Sequence, residues 1–203
     1  MKKLLLFSIC AMLSFASCKK DSTKTSSSNT ITATVGGSNI NFSTTAIAQL
    51  ASDSGVYVLA IQGVSGTGSS AQSIIVGLLA EGPIVKGTYT LNSSTDPNAT
   101  VLPAITYARS LSGNDADVFE TDVDINIPNS TISTTTTVTI TSISSTNVQG
   151  TFSGVLVNDA DGTTTETVTN GKFNVDMSAN KVQTMNSRVL AAKMQLLKNR
   201  IRN

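Results

Sequence analysis

From residue 30 to residue 177 the chain is built from short runs in which Thr, Val and Ile alternate with polar residues, separated by clusters of Gly, Asn, Asp and Ser. A repeat of two sends successive side chains to opposite faces of an extended strand, and β-branched residues fit a pleated surface. Residues 119–127 show the pattern plainly: Phe119, Val123, Ile125 and Ile127 fall on one face, Glu120, Asp122, Asp124 and Asn126 on the other. The four prolines, Pro83, Pro97, Pro103 and Pro128, stand at or near breaks between runs, where a missing N–H does least harm to a sheet.

The predicted strands are residues 30–35, then a Gly36-Gly37-Ser38-Asn39 turn needing positive φ, then 40–50, where Phe42, Ala46 and Ala48 share a face,. Residues 56–64, 73–80, 87–91, a strand around Ile105 and Tyr107, and residues 119–127, 134–143, 148–157 and 166–177 complete the set. The runs at 56–64 and 73–80 are apolar on both faces, so they expect cover on both sides. About ten strands joined mostly by short polar turns make one antiparallel all-β domain over residues 30–177. A β-sandwich is the expected architecture and a flattened β-barrel the runner-up.

Absences narrow the chemistry. The chain has no histidine, which removes the commonest general base and zinc ligand together with Ser-His and Cys-His nucleophile pairs,. Its two cysteines, Cys10 and Cys18, both precede the strand-rich region, so that region holds neither a disulfide framework nor a thiolate metal site,. Between residues 25 and 177 three cations, Lys86, Arg109 and Lys172, face 12 acids, a balance of −9. A body this acidic is a poor nucleic-acid binder, because phosphate recognition needs clustered Lys and Arg.

The first 21 residues speak to location. Lys2 and Lys3 precede a run of 12 apolar or small residues at 4–15, too short to span a bilayer as a helix, followed by Phe15-Ala16-Ser17-Cys18,. These are the parts of a secretory signal, expected to be removed as residues 1–17. A small residue directly before a cysteine resembles the lipobox of bacterial lipoproteins, with Phe15 standing where Leu is usual. The resemblance implies a diacylglyceryl thioether on Cys18 and a further acyl group, such as palmitate, on its freed amine. Two or three chains hold a protein firmly where one holds it only marginally. Lys19-Lys20-Asp21 is similar to the short tag after the lipidated cysteine of some surface-displayed envelope lipoproteins, without the second acid. Residues 18–29 then read as lipid anchor and flexible tether, Ser/Thr/Lys-rich and without an apolar side chain from 22 to 29,.

The strand region resembles a family of small bacterial envelope lipoproteins of uncharacterised function. The resemblance rests, in order, on Ile31-Thr32-Ala33-Thr34-Val35-Gly36-Gly37, Gly87-Thr88-Tyr89-Thr90-Leu91, Val138-Thr139-Ile140-Thr141, Gly150-Thr151-Phe152-Ser153-Gly154 and Thr169-Asn170-Gly171-Lys172-Phe173-Asn174. The chain departs from that pattern at residues 38–41, which lack the aromatic common there, and in its long tail. The motifs are strand and turn residues; they imply a fold and bring no catalytic residue.

Three constellations remain. Glu120, Asp122 and Asp124 form an outward ladder with carboxylates about 6.8 Å apart, a spacing that glycosidase acid pairs use. Such chemistry also needs a cleft and a sugar platform, whereas the seven aromatics of the body read as core, so a solvated face guarding an edge is the preferred reading. Asn158-Asp159-Ala160-Asp161-Gly162 resembles half of a calcium loop but lacks the closing acid, since Asn170 stands at the twelfth position,; a hairpin turn explains the same residues. Ser178-Ala179-Asn180-Lys181 fits a Ser-x-x-Lys string without its companion motifs, and Ser178 reads as a helix N-cap.

Residues 178–203 are predicted as a basic amphipathic helix. Val182, Met185, Val189, Leu190, Met194, Leu196, Leu197 and Ile201 fall on one broad stripe at 100° steps, with Lys193 and Arg200 inside it,. The segment carries six cations and no acid. Its stripe can cover the outer face of the doubly apolar strands, lie on an anionic membrane, or bind a partner; the first is favoured. The sequence as a whole leads to the expectation of a lipid-anchored protein of the bacterial cell envelope, most readily the outer membrane. It is read as a non-catalytic binding or structural module without a cofactor, bound to membrane through Cys18, with an envelope protein or a glycan as the class of partner. A carboxylate-dependent glycan-acting enzyme and, were the domain a barrel, a small-ligand carrier are the alternatives.

Overall fold

The computed structural model describes residues 29–53, 55–92, 101–111, 117–121 and 135–178. The signal segment, Cys18, Asp122, Asp124 and the basic tail lie outside the described residues.

Among the described residues eleven strands follow the alternating runs: β1 (Thr30–Val35), β2 (Ser38–Asn41), β3 (Thr45–Asp53), β4 (Val56–Ser65), β5 (Gln72–Ala80), β6 (Gly87–Asn92), β7 (Val101–Ala108), β8 (Val118–Glu120), β9 (Thr135–Ile143), β10 (Asn147–Asn158) and β11 (Thr165–Asp176). β1 shows the cause directly, with Ile31, Ala33 and Val35 buried and the intervening threonines turned toward solvent. Gly36 and Gly37, at φ 55° and 82°, make the two-residue turn that pairs Val35 with Ser38, a backbone that side chains with a Cβ resist.

One expected strand is two. Residues 40–50 break after Asn41, whose side-chain oxygen accepts the Ser43 N–H at 3.1 Å, an Asx turn that draws the backbone out of the ladder. Phe42 still donates its N–H to Ile31 O at 2.8 Å, but Thr44 donates to Val64 O at 2.9 Å. Within three residues the chain has crossed from the β1 side of the domain to β4.

That crossing shapes the whole sheet. The strand order is β2-β1-β11-β10-β8-β7-β5-β4-β3, every ladder antiparallel, with β9 on β10 and β6 on β9. β2 and β3 stand at opposite ends of this order yet are joined by residues 42–44, so the sheet must curl until its ends meet. Bridges Ser43 to Val64 and Ala48 to Met177 mark the meeting. β10 serves two partners along one edge, β9 at residues 148–154 and β8 at residues 157 and 158. The domain is therefore all-β and antiparallel. Its halves face each other across one core, as in a sandwich, but remain continuous as a single curled sheet.

The core fills the inside of the curl, with Ile31, Phe42, Leu59, Ile74, Ile105, Phe119, Ile140 and Leu156 almost fully buried. Full burial of such side chains contributes about 1.5–3 kcal/mol each. On β10 and β11 the packing is reciprocal: Gly150 pairs with Phe173 and Phe152 with Gly171, and the two rings stack at 6.3 Å between centroids. Each ring occupies the space that the opposite glycine leaves open, the way an aromatic restores the packing lost at a strand glycine.

Candidate functional site

The chain's turns gather the most polar chemistry at one end of the sheet. Arg109, just past β7, forms an ion pair with Glu166 at the start of β11, the two side chains being 48% and 16% exposed. The Glu166 carboxylate lies against Gly36 in the β1–β2 turn. Arg109 also donates its N–H to Asp117 O at 2.8 Å, Asp159 donates to Val118 O at 2.9 Å, Leu111 donates to Ala71 O at 3.0 Å, and Ser110 Oγ donates to Ser69 O at 2.7 Å. Four turns, around residues 36, 69, 111 and 160, are thus tied together, with Arg109 in their midst.

Beneath the ion pair the core is aromatic. The Arg109 guanidinium carbon stands 4.8 Å from the centroid of the Phe119 ring, a cation–π distance. Tyr107 sits 6.3 Å from both Phe119 and Phe42, edge-on to the latter. Burial pushes the Tyr107 phenol above its ordinary range; Arg109 opposes the shift, while Glu166 and Asp117 add to it. Arg109, Lys86 and Lys172 are the cations among the described residues, so Arg109 alone supplies positive charge at this end, beside Glu166, Asp117 and the Asp159–Asp161 turn.

That turn, between β10 and β11, is a hairpin connection of Asx type. Asn158 Oδ1 accepts from the N–H groups of Ala160 at 2.9 Å and Asp161 at 3.2 Å. Asp161 Oδ1 accepts from Thr163 N at 2.7 Å and Thr164 N at 2.8 Å, and its Oδ2 from Thr164 Oγ1 at 2.5 Å. The Thr164 hydroxyl first, then the Thr164 and Thr163 amides, hold the Asp161 carboxyl down at about 2. The side-chain oxygens of Asn158 and Asp161 are thus directed at the turn's own amides and the Thr164 hydroxyl. Among the described residues no group of three or more His, Cys, Asp or Glu is gathered closely enough to hold a metal ion.

Of the carboxylate ladder, Glu120 alone lies among the described residues; Asp122 and Asp124 fall outside them. Glu120 is half-buried on β8, in register with Thr106 and Val157. The strand expected to run from 119 to 127 stops at Glu120 in its described part. Thr121, 1% exposed, turns inward: its hydroxyl accepts from Ile105 N at 3.0 Å and from the buried Thr136 Oγ1 at 2.8 Å, and its own N–H donates to Ile105 O at 2.8 Å.

At the far end of β11 the chain enters the domain. Asn29, at φ 81°, donates its N–H to Asn174 O at 2.7 Å and accepts the Asp176 N–H on its side-chain oxygen at 3.0 Å. Asn147 Nδ2 reaches Asn174 Oδ1 at 3.0 Å and Asp176 Oδ1 at 3.3 Å. Ser178 leaves from the same end, its N–H donated to Ala48 O at 2.8 Å. Among the described residues no helix is long and apolar enough to cross a membrane. No protein-family model matches the chain, and neither a curated protein nor a solved structure matches it significantly.

Proposed function

We propose that the chain is a lipid-anchored bacterial envelope protein, held by acyl groups on Cys18, whose β domain is a non-catalytic binding or structural module. The reading begins in the lipobox-like Ala16-Ser17-Cys18 and is supported in the fold by one relationship. The tether side and the polar loop side are opposite ends of β11. Asn29 is fastened beside Asp176, and Arg109 beside Glu166; ten residues of strand separate the two places, about 33 Å. A domain anchored through residues 18–29 would hold its four tied turns away from the lipid, where an envelope protein or glycan can reach them. A flexible chain of ten residues, the length of 19–28, has a root-mean-square span of about 16–19 Å.

The test is metabolic labelling with an alkyne fatty acid, followed by membrane fractionation. Label entering the native chain and failing to enter Cys18→Ser, with Cys18→Ser leaving the membrane fraction, is the expected result. An unlabelled native chain, or unchanged fractionation of Cys18→Ser, would overturn it.

A further inference from the structure

The sheet has a second apolar face. Val56 and Val58 on β4 and Leu79 on β5 are 5%, 7% and 6% exposed; with Leu102 on β7 they form a cluster separate from the main core. By register Val58 faces Leu79 and Leu79 faces Leu102, so these side chains make one row across the outside of the curl. Neighbours in a row shield each other's flanks and leave their tops open. Exposures this low require a layer above them. The next row, Gln49, Ala60, Gly77 and Ala104, is small at its centre, and Gly77 has only ordinary contacts around the place of a Cβ. It forms a shallow trough beside the Val58 row.

We propose that residues 179–203 of the same chain lie across this face and are its cover. The chain is delivered there: Met177 bridges to Ala48, and Ser178 donates its N–H to Ala48 O, on the β3 strand that borders the face. The length suffices, because 25 residues extend about 38 Å as a helix, against about 14 Å for the three strand spacings from β3 to β7. The stripe from Val182 to Ile201 supplies the apolar surface, and Lys193 and Arg200 within it reach out past the sheet on their methylene stems. Charge agrees, since a +6 segment meets a body of −9,. The inference stands apart from lipid anchoring and is tested without it.

The experiment uses the chain from residue 18 with Cys18→Ser, in which introduced thiols are the only ones. Leu102→Cys is combined in turn with Val189→Cys or Leu197→Cys from the stripe, and with Arg188→Cys or Lys198→Cys from the opposite side; disulfide formation under mild oxidation is followed on non-reducing gels. Intramolecular disulfides forming at least tenfold faster for the stripe pairs are expected. Equal rates, or disulfides between molecules only, would overturn the proposal. As a second readout, thiol labelling of Leu102→Cys should accelerate at least tenfold when the chain is ended after Ser178 and stay unchanged when phosphatidylglycerol-rich vesicles are added to the full-length tail. A rate indifferent to the tail would overturn the proposal. So would one that rises with vesicles, which would assign the stripe to the membrane.

Discussion

The ring of Phe173 stands against Gly150 on the neighbouring strand so closely that a methyl group on Gly150 would fall 2.5 Å from Cζ of the ring. The same methyl would also strike the backbone oxygen of Thr139 on β9, so neither neighbour can give way alone. Gly150→Ala should therefore destabilise by about 1–3 kcal/mol, the usual range for forcing extra volume into a packed core. That lowers the melting temperature by about 2–4 °C per kcal/mol in a domain of this size. Gly82→Ala, with nothing within 4 Å of the new carbon, is the control and should stay within about 0.5 kcal/mol. Thermal denaturation followed by circular dichroism separates the two.

Thr121 closes a buried hydrogen-bond chain with Ile105 and Thr136. Thr121→Val keeps the shape but leaves the Ile105 N–H and the Thr136 hydroxyl without their partner, a loss of about 1–3 kcal/mol. Thr121→Ser should recover most of it. Urea unfolding midpoints at constant m-value make the comparison.

Two groups set opposite ends of the pH profile. Asp161, lowered from 3.8 to about 2 by its turn hydrogen bonds, contributes stability that is present above about pH 4 and lost as pH falls toward 2. Asp161→Asn should flatten the denaturation midpoint across that window. Tyr107 is raised by burial, so its contribution is complete below pH ~10 and lost as pH rises beyond it. Tyr107→Phe should remove that alkaline slope and leave the acid limb alone.

The Arg109–Glu166 pair is half-exposed on its cationic side, and an ion pair open to solvent is worth about 0–1 kcal/mol. Glu166→Gln should cost no more than that. Arg109→Ala should cost about 0.5–1 kcal/mol more, because it also uncovers Phe119,. A double-mutant cycle in low and high salt reads the pairwise part, which should shrink as salt rises.

Period-two patterning made most strands legible, and where it failed the cause is local. Ile40 to Leu50 reads as one alternating run, yet the Asn41 side chain captures the Ser43 amide and sends β2 and β3 to opposite ends of the strand order. Asn-x-Ser is the signal that was there to be read. Thr121, just past β8, likewise offers its side-chain oxygen to the Ile105 N–H where a ladder would offer a carbonyl. The Arg109–Glu166 contact had no local trace, since it joins residues 57 positions apart through the curl of the sheet. The reciprocal Gly150–Phe173 and Phe152–Gly171 pairs were visible as glycine and aromatic motifs, but their meaning depends on a register that no single strand carries. Asp161 and Gly162 behave as turn residues, as their composition suggested.

Thr30 is hydrogen-bonded beside Asn174, so the earliest strand to be synthesised finds its mate in the latest. Folding of this kind, dominated by partners distant in the chain, is intrinsically slow. Nothing built from the first hundred residues can shut the curl, because β10 and β11 are still missing from its middle. A polypeptide threaded through a narrow pore from its amino end would therefore stay open until β11 had passed, and would lock only then.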